Sequence, residues 1–380
     1  MYEYKYSIQD VCITPVETMG NLIDTSLYSD SKDSSANSAS FLHTIMSWGN
    51  PNKSENIQAW YACIDDIDSI NEDNILIKSL RPEELQKVKR FRFPDDQKRA
   101  LLSILLQRAL IRERFKINDS EYELIRSKEG KPLVKPSSAQ LDFNTWNFNV
   151  SHHGKYVCIV SHPSLLMGAD IVDISARSNM ACSGALEYIE MFDSQLTTLE
   201  VKDIQKQSSE TARYCYFYLI WSLKEAFIKA IGQGLGFDLT QVEFSIVFEP
   251  GCDFSSQIDA SDACRGSTGA HCDVQVKGFA TVRLRGEPRE DWRMEFVSLD
   301  NKHIMSIARG PLYAALPTFI QQAGWKLPFA APITPSSSAD YKHGFNTPPA
   351  ASGQGELESS QHQAHLALPM PACLRKTLSD

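Results

Sequence analysis

The run Trp221–Gly232, Trp-Ser-Leu-Lys-Glu-Ala-Phe-Ile-Lys-Ala-Ile-Gly, constrains this chain more than any other segment. Leu223, Phe227, Ala230 and Ile231 recur at helical spacing and make one apolar stripe. Ser222, Glu225 and Lys229 share another stripe, with Glu225 and Lys229 at i and i+4. Gly232 suits the left-handed position that follows a last helical turn. The helical pattern begins at Thr211, so the element is long, and its apolar side needs a surface to cover it. A carboxylate and an ammonium held one turn apart can serve an anion or a metal ion. As a bare pair they read first as a surface ion pair worth a few tenths of a kcal/mol, roughly 0.2–0.5.

Upstream segments bear on that choice. Leu165–Ile174 is an apolar, β-branched run interrupted by Asp170, which reads as a buried strand. A buried carboxylate needs a metal ion, a lysine or an arginine beside it. Alternation along the strand puts Asp170 and Val172 on one side and Asp173 on the other. Phe148–Gly154 reads as a segment leading into a strand at Tyr156–Val160, with His152 and His153 as loop histidines. Glu129-Gly130-Lys131-Pro132 reads as a turn carrying a cation.

Elsewhere, helical patterns cover Arg81–Phe115, where Asp95 or Asp96 can cap a long helix, and Ser183–Ile204. Arg108, Arg112 and Arg114 read as a solvated face. Strand patterns fall at Val242–Phe248, Val274–Leu284, Trp292–Leu299 and Ile304–Ala308. Trp221 reads as core packing, and Lys224 as turned away from Glu225 and structural. The mixture is an α/β (α+β) chain. Its expected organisation is an N-terminal segment 1–40 with a serine-rich loop, a first unit 41–164, a second unit 165–329 with an inserted Ser/Asp/Gly-rich loop 251–270, and a disordered tail 330–380.

The ordered set Gly130-Lys131-Pro132, Phe148–Gly154, Gly168-Ala169-Asp170-Ile171 and Trp221–Glu225 with Lys229 and Gly232 resembles the 4′-phosphopantetheinyl transferase superfamily. A looser likeness reaches back through Arg90-Phe91-Arg92-Phe93, Asp96 and Arg99, and forward through Trp292 to Ala308. The chain is similar to the large, monomeric branch, and within it to the eukaryotic L-aminoadipate-semialdehyde dehydrogenase phosphopantetheinyl transferases. That resemblance implies two similar α/β halves related by a pseudo-twofold axis, with the site between them. It implies transfer of phosphopantetheine from coenzyme A to a serine of an apo carrier protein, with release of adenosine 3′,5′-bisphosphate and with magnesium. Asp170 and Glu225 are then the metal ligands, and Glu225 is also the general base, directly or through a metal-bound water. Lys229 touches the diphosphate. Ser151 and His152 bond a CoA phosphate, and Lys131 and Arg99 neutralise the bisphosphate end. Together Lys131, Arg99 and His152 would form an electropositive pocket.

One departure is visible. Bacterial members often carry a further acid two residues after the first metal-binding aspartate, where this chain has Val172, which implies water in that coordination position. Two alternatives stay open: a catalytically silent scaffold for CoA or a carrier protein, and a metal-dependent hydrolase of the CoA diphosphate. Candidate carriers are an aminoadipate reductase, fatty acid synthase, and polyketide or peptide synthetases. The net charge of −9 argues against a general binder of nucleic acid or membrane surfaces. Nine scattered cysteines, with no secretory signal at the first residues and no apolar run long enough to span a bilayer, predict a cytoplasmic protein with free thiols.

Overall fold

The computed structural model describes residues 13–15, 46–48, 57–67, 69–71, 74–128, 130–138, 143, 145–174, 184–254, 276–315 and 320. The serine-rich loop, most of the loop 251–270 and the tail 330–380 lie outside them. In chain order come β1 (Ile13–Pro15), β2 (Met46–Trp48) and β3 (Gln58–Cys63), then α1 (Ile75–Lys78), α2 (Pro82–Lys89) and α3 (Pro94–Phe115). Five strands follow: β4 (Tyr122–Arg126), β5 (Pro132–Pro136), β6 (Asn147–His153), β7 (Tyr156–His162) and β8 (Leu165–Asp173). Helices α4 (Ala185–Glu190), α5 (Thr198–Gln205) and α6 (Glu210–Ile231) precede β9 (Val242–Phe248), β10 (Lys277–Leu284), β11 (Glu287–Pro288), β12 (Arg293–Ser298) and β13 (His303–Pro311).

Two main sheets result, one ordered β1-β2-β3-β7-β6 and the other β11-β10-β12-β13-β8, with β9 also paired to β10. All pairings among the described strands are antiparallel, so the mixed class resolves toward α+β. β7 is apolar on both sides for a visible reason. Val157 and Ile159 pack with Leu101, Leu105 and Leu110 of α3. Tyr156, Cys158 and Val160 pack instead with Met167, Ala169 and Ile171 of β8 and with Met305 and Ile307 of β13. The opposite face of β8 lies under α6, which packs across β8 and β13.

The two sheets meet edge to edge through side chains. β6 and β8 are each the last strand of their sheet. The backbone N–H groups of Met167, Ala169, Ile171 and Asp173 donate to Asn147 Oδ1 (3.0 Å), Asn149 Oδ1 (2.9 Å), Ser151 Oγ (3.3 Å) and His153 Nδ1 (2.9 Å). Every second residue of β6 thus satisfies an edge donor of β8 that would otherwise be buried without a partner. Asn147 also donates to Leu165 O at 2.6 Å.

Several elements differ from expectation. Phe148–Gly154 is not a loop: it is β6 and the start of the turn into β7, with Gly154 at φ +54°. Neither Asp95 nor Asp96 caps α3. Phe93 occupies that position without a side-chain bond, and Pro94 starts the helix, its missing N–H being one that no helix start can satisfy internally. Ser183–Ile204 is two helices, and Thr197 begins the second with a capping box that Glu200 completes. Arg108 is not solvated, because it pairs with Glu84 at 3.2 Å and with Asp119. Helix α6 begins at Ser209, whose Oγ accepts from Ala212 N–H at 3.1 Å, and ends at Gly232 with φ +75°. Residues Cys215 to Lys224 of α6 are all buried, so this part of the helix is core on every side. No helix of the described residues is long and apolar enough to cross a membrane.

Candidate functional site

The site begins with a missing side chain. Gly168 lies where α6 crosses β8, and a Cβ there would sit 2.0 Å from Ala226 O and 2.5 Å from Ala230 N. Only glycine lets the helix backbone approach the strand this closely. The alternation of β8 then turns Asp170, two residues on, toward the same helix. Ser222 Oγ bonds Asp170 O at 3.5 Å and fixes the register of helix on strand.

Asp170 is buried, and its partner is a lysine. Lys229 Nζ donates to Asp170 Oδ1 at 2.6 Å and to Ser151 Oγ at 3.1 Å, while Ser151 Oγ lies 3.2 Å from the same carboxylate oxygen. Three elements, β6, β8 and α6, meet in this triangle. Burial alone would pull the Lys229 pKa down; the Asp170 and Glu225 carboxylates outweigh it and hold the ammonium charged. The i, i+4 partner on α6, Glu225, takes no salt bridge with Lys229. Among the described residues its carboxylate makes no hydrogen bond or ion pair. Burial pushes its pKa up to about 7, Lys229 opposes this, and Asp170 reinforces it.

This arrangement fits a divalent cation with a preference for oxygen. Two carboxylates feel one another's charge, only one of them has a hydrogen-bonded cation, and the other is half-buried with no donor. Magnesium commonly takes one or two carboxylates along with substrate phosphates. Among the described residues no cluster of three or more His, Cys, Asp or Glu side chains is gathered, in keeping with Val172 in place of an acid.

The remaining candidates separate. Arg99 on α3 pairs with Asp96 at 2.6 Å and donates to Gly154 O, so it reaches the β6–β7 turn. His152, on β6, feels both Arg99 and Lys229. Burial, then those two cations, lower its pKa to about 4, so the ring is neutral at pH 7 and supplies a hydrogen bond but no charge. Lys131 is not an open phosphate cation. It is buried, and its Nζ donates to Met167 O at 3.2 Å and to Ala230 O at 2.8 Å, tying β8 to the end of α6. The cations that reach the cluster are Arg99 and Lys229, while the Lys131 ammonium is bonded to the two carbonyls.

His153 accepts the Asp173 N–H through Nδ1, which leaves any ring proton on Nε2 and makes it part of the strand-edge ladder. Asp173 points away from Asp170, its Oδ2 3.8 Å from His303 Nε2, and His303 Nδ1 is 2.9 Å from Asp300. Lys224 faces away from Glu225, as its helical position predicts. It is fully buried, pairs with Glu200 at 2.9 Å and donates to Leu239 O and Val242 O, both at 2.7 Å. Trp221 is core, packed on Phe192 and Phe217. The ladder of Asn147 and Asn149 was missed from sequence, although polar residues at every second position of a strand-like stretch were its signal.

Profiles of known families match two adjoining regions of the chain. The 4′-phosphopantetheinyl transferase N-terminal profile matches residues 69–164, and the 4′-phosphopantetheinyl transferase superfamily profile matches residues 166–295. An L-aminoadipate-semialdehyde dehydrogenase-phosphopantetheinyl transferase of Xenopus laevis is 30% identical over 234 residues, covering 61% of this chain and 69% of the relative. The Homo sapiens protein of that name is 29% identical over 62% of this chain and 68% of its own length. A phosphopantetheinyl transferase of Thraustochytrium is 35% identical over 45% of this chain and 59% of the relative.

Proposed function

We propose that this chain, which belongs to the 4′-phosphopantetheinyl transferase superfamily, moves the phosphopantetheine arm of coenzyme A onto a serine of an apo carrier protein. The observation that carries the reading is the triangle of Asp170, Lys229 and Ser151 with Glu225 one turn before Lys229 on α6. It offers what phosphoryl transfer needs, namely a fixed cation, a base and few free motions.

In this mechanism the carrier serine oxygen bonds the β-phosphorus of the CoA diphosphate. The bond from that phosphorus to the bridging oxygen breaks, and adenosine 3′,5′-bisphosphate leaves with the electron pair. Glu225 takes the serine proton. In the metal-free protein burial raises its pKa to about 7, so it holds a proton more firmly than an exposed carboxylate does. Lys229, held charged beside Asp170, neutralises the leaving oxygen. Arg99 contributes charge toward the CoA phosphates, and neutral His152 and Ser151 contribute hydrogen bonds. Lys131 acts by position, holding β8 against the end of α6. Asp170 and Glu225 would hold a magnesium ion, which would supply charge neutralisation at the diphosphate. A carboxylate has two oxygens, so Glu225 can serve both as ligand and as proton acceptor.

The eukaryotic relatives' names point to an aminoadipate-reducing enzyme as one carrier-bearing substrate. Incubation with coenzyme A, magnesium and an apo carrier domain tests the reading by mass spectrometry. Transfer adds one phosphopantetheine to the carrier. Consumption of CoA without the carrier would instead assign a hydrolase, and neither change would assign a scaffold.

A further inference from the structure

Asp300 and His303 lie beyond the regions that the family profiles match, yet they reach back to the first sheet. Asp300 stands in the loop before β13, and His303 is the first residue of that strand. Asp300 Oδ1 accepts the backbone N–H groups of Lys302 at 2.8 Å and His303 at 2.7 Å, so the loop fixes its own carboxylate. Burial alone would raise the Asp300 pKa; the bonds from His303 and Lys302 outweigh it and hold the group well below the usual carboxylate range. His303 Nδ1 donates to this carboxylate at 2.9 Å, which aims Nε2 the other way. The ring is 3% exposed, and Nε2 is buried without a hydrogen-bond partner among the described residues.

What Nε2 meets is the β6–β7 turn. A Cβ on Gly154 would sit 2.1 Å from Nε2 and 3.0 Å from Cδ2, so the ring fills the place of the side chain that this residue lacks. Gly154 has φ +54°, and a glycine turn left unsupported has many conformations open to it. The two residues that follow are held by the same pair. Lys155 Nζ lies 3.3 Å from Asp300 Oδ2, and the Tyr156 ring stands edge-on to the His303 ring at 5.1 Å. The carbonyl of Gly154, in turn, accepts from Arg99, the cation whose charge reaches His152.

We propose that Asp300 and His303 are positioning residues for the donor: the ring, held by the carboxylate, locks the Gly154 turn so that its carbonyl aims Arg99 at a CoA phosphate. The inference rests on the transferase reading above and gives a role in it to a pair that touches neither substrate. Preorganisation is the physical gain. Arg99 has two fixed acceptors, Asp96 Oδ1 at 2.6 Å and Gly154 O. A guanidinium already fixed loses less freedom when it binds a phosphate. A turn free to shift would carry one of those acceptors away. His303 belongs to the sheet of β8 and Gly154 adjoins that of β7, so the contact also ties the place of Arg99 to that of Asp170.

Calorimetric titration of coenzyme A into wild type, His303→Asn, Arg99→Ala and the double variant tests the proposal. Asparagine keeps an amide donor for Asp300 but lacks the outer ring atoms that meet Gly154. Arg99→Ala should raise the Kd about tenfold to a hundredfold, the scale of one charge-assisted bond. His303→Asn should raise it about tenfold by itself but no more than about twofold in the Arg99→Ala background, because the ring acts through the arginine. His303→Gln, long enough to fill the place of Nε2, should return the Kd to within about threefold of wild type. In turnover the KM for coenzyme A should rise while kcat stays within a few-fold of wild type, a split that general loss of structure does not give. The same fold-change in both backgrounds overturns the proposal, and so does an unchanged Kd in His303→Asn. A fall in kcat with KM unchanged overturns it too. If wild type binds coenzyme A and the cycle shows the coupling but no carrier is loaded, the transferase reading fails and the positioning role stands. If wild type binds no coenzyme A, both fall.

Discussion

Gly168→Ala adds one methyl group at the crossing of α6 and β8, and the structure sets its price. The new Cβ would begin 2.0 Å from Ala226 O, whereas ordinary contact starts at 3.4 Å, so the backbones must part by about 1.4 Å. The atoms met first belong to the helix backbone, and no rotamer change can move them aside. Overpacking of this kind is worth about 1–3 kcal/mol of stability. For a domain of this size that lowers the melting temperature by roughly 2–12 °C. Asp170 is on β8, while Glu225 and Lys229 are on α6, so the same displacement separates the groups of the cluster. A misplacement of about 1 Å can reduce turnover about a hundredfold. Gly236→Ala is the control, because a Cβ there meets nothing within 4 Å. Thermal unfolding and carrier loading should be measured for both variants. Wild-type stability and activity in Gly168→Ala would refute the argument that close approach of helix and strand builds the site.

Other consequences are separable. Lys131→Met should lower stability by about 2–4 kcal/mol, because it leaves two buried carbonyls without their donor, and calorimetry should find CoA affinity within a few-fold of wild type. Lys224→Met should be at least as damaging, about 3–5 kcal/mol in denaturant titration, since it strands the buried Glu200 carboxylate; adding Glu200→Gln should recover much of the loss. Glu225→Gln should abolish transfer yet raise stability at high pH. The folded pKa of Glu225 is raised to about 7 above its ordinary 4.5, so ionising it opposes folding progressively between those values and fully above pH 7. Melting curves without magnesium should show the variant equal to wild type near pH 4 and more stable near pH 8; an equal difference at both pH values would contradict the raised pKa.

Much of the site was legible because its residues lie on elements with clear periodicity. The stripe of α6, the stop at Gly232 and the turn of Asp170 away from Asp173 follow from periods of 3.6 and 2. What sequence did not reveal depends on pairings between distant strands. His152 and His153 read as loop residues because the segment Asn147–His153 alternates polar side chains inward, toward β8, where an ordinary strand would bury apolar ones. Lys131 read as a phosphate ligand because its motif places it near the site; only the fold shows its ammonium directed to the carbonyls of Met167 and Ala230. Lys224 and Glu200 could each be read as polar helix residues, and their pairing spans two helices that periodicity does not relate. The cap of α3 was misplaced because Pro94 can start a helix without a side-chain acceptor, so the aspartates after it fall in the first turn.

The central claim is that transfer depends on the face of β8 that meets α6. Carrier loading by Asp170→Asn and Asp173→Asn, measured by mass spectrometry at saturating magnesium and coenzyme A, tests it most directly. Asp170 is bonded to Lys229 at 2.6 Å, whereas the Asp173 carboxylate lies toward His303 on the other side. Asp170→Asn should reduce the rate by about a hundredfold to a thousandfold, the scale of losing one electrostatic contact to a transferring phosphoryl group, and Asp173→Asn should stay within a few-fold of wild type. An active Asp170→Asn beside an inactive Asp173→Asn would contradict the account and move the site to the opposite face of the strand.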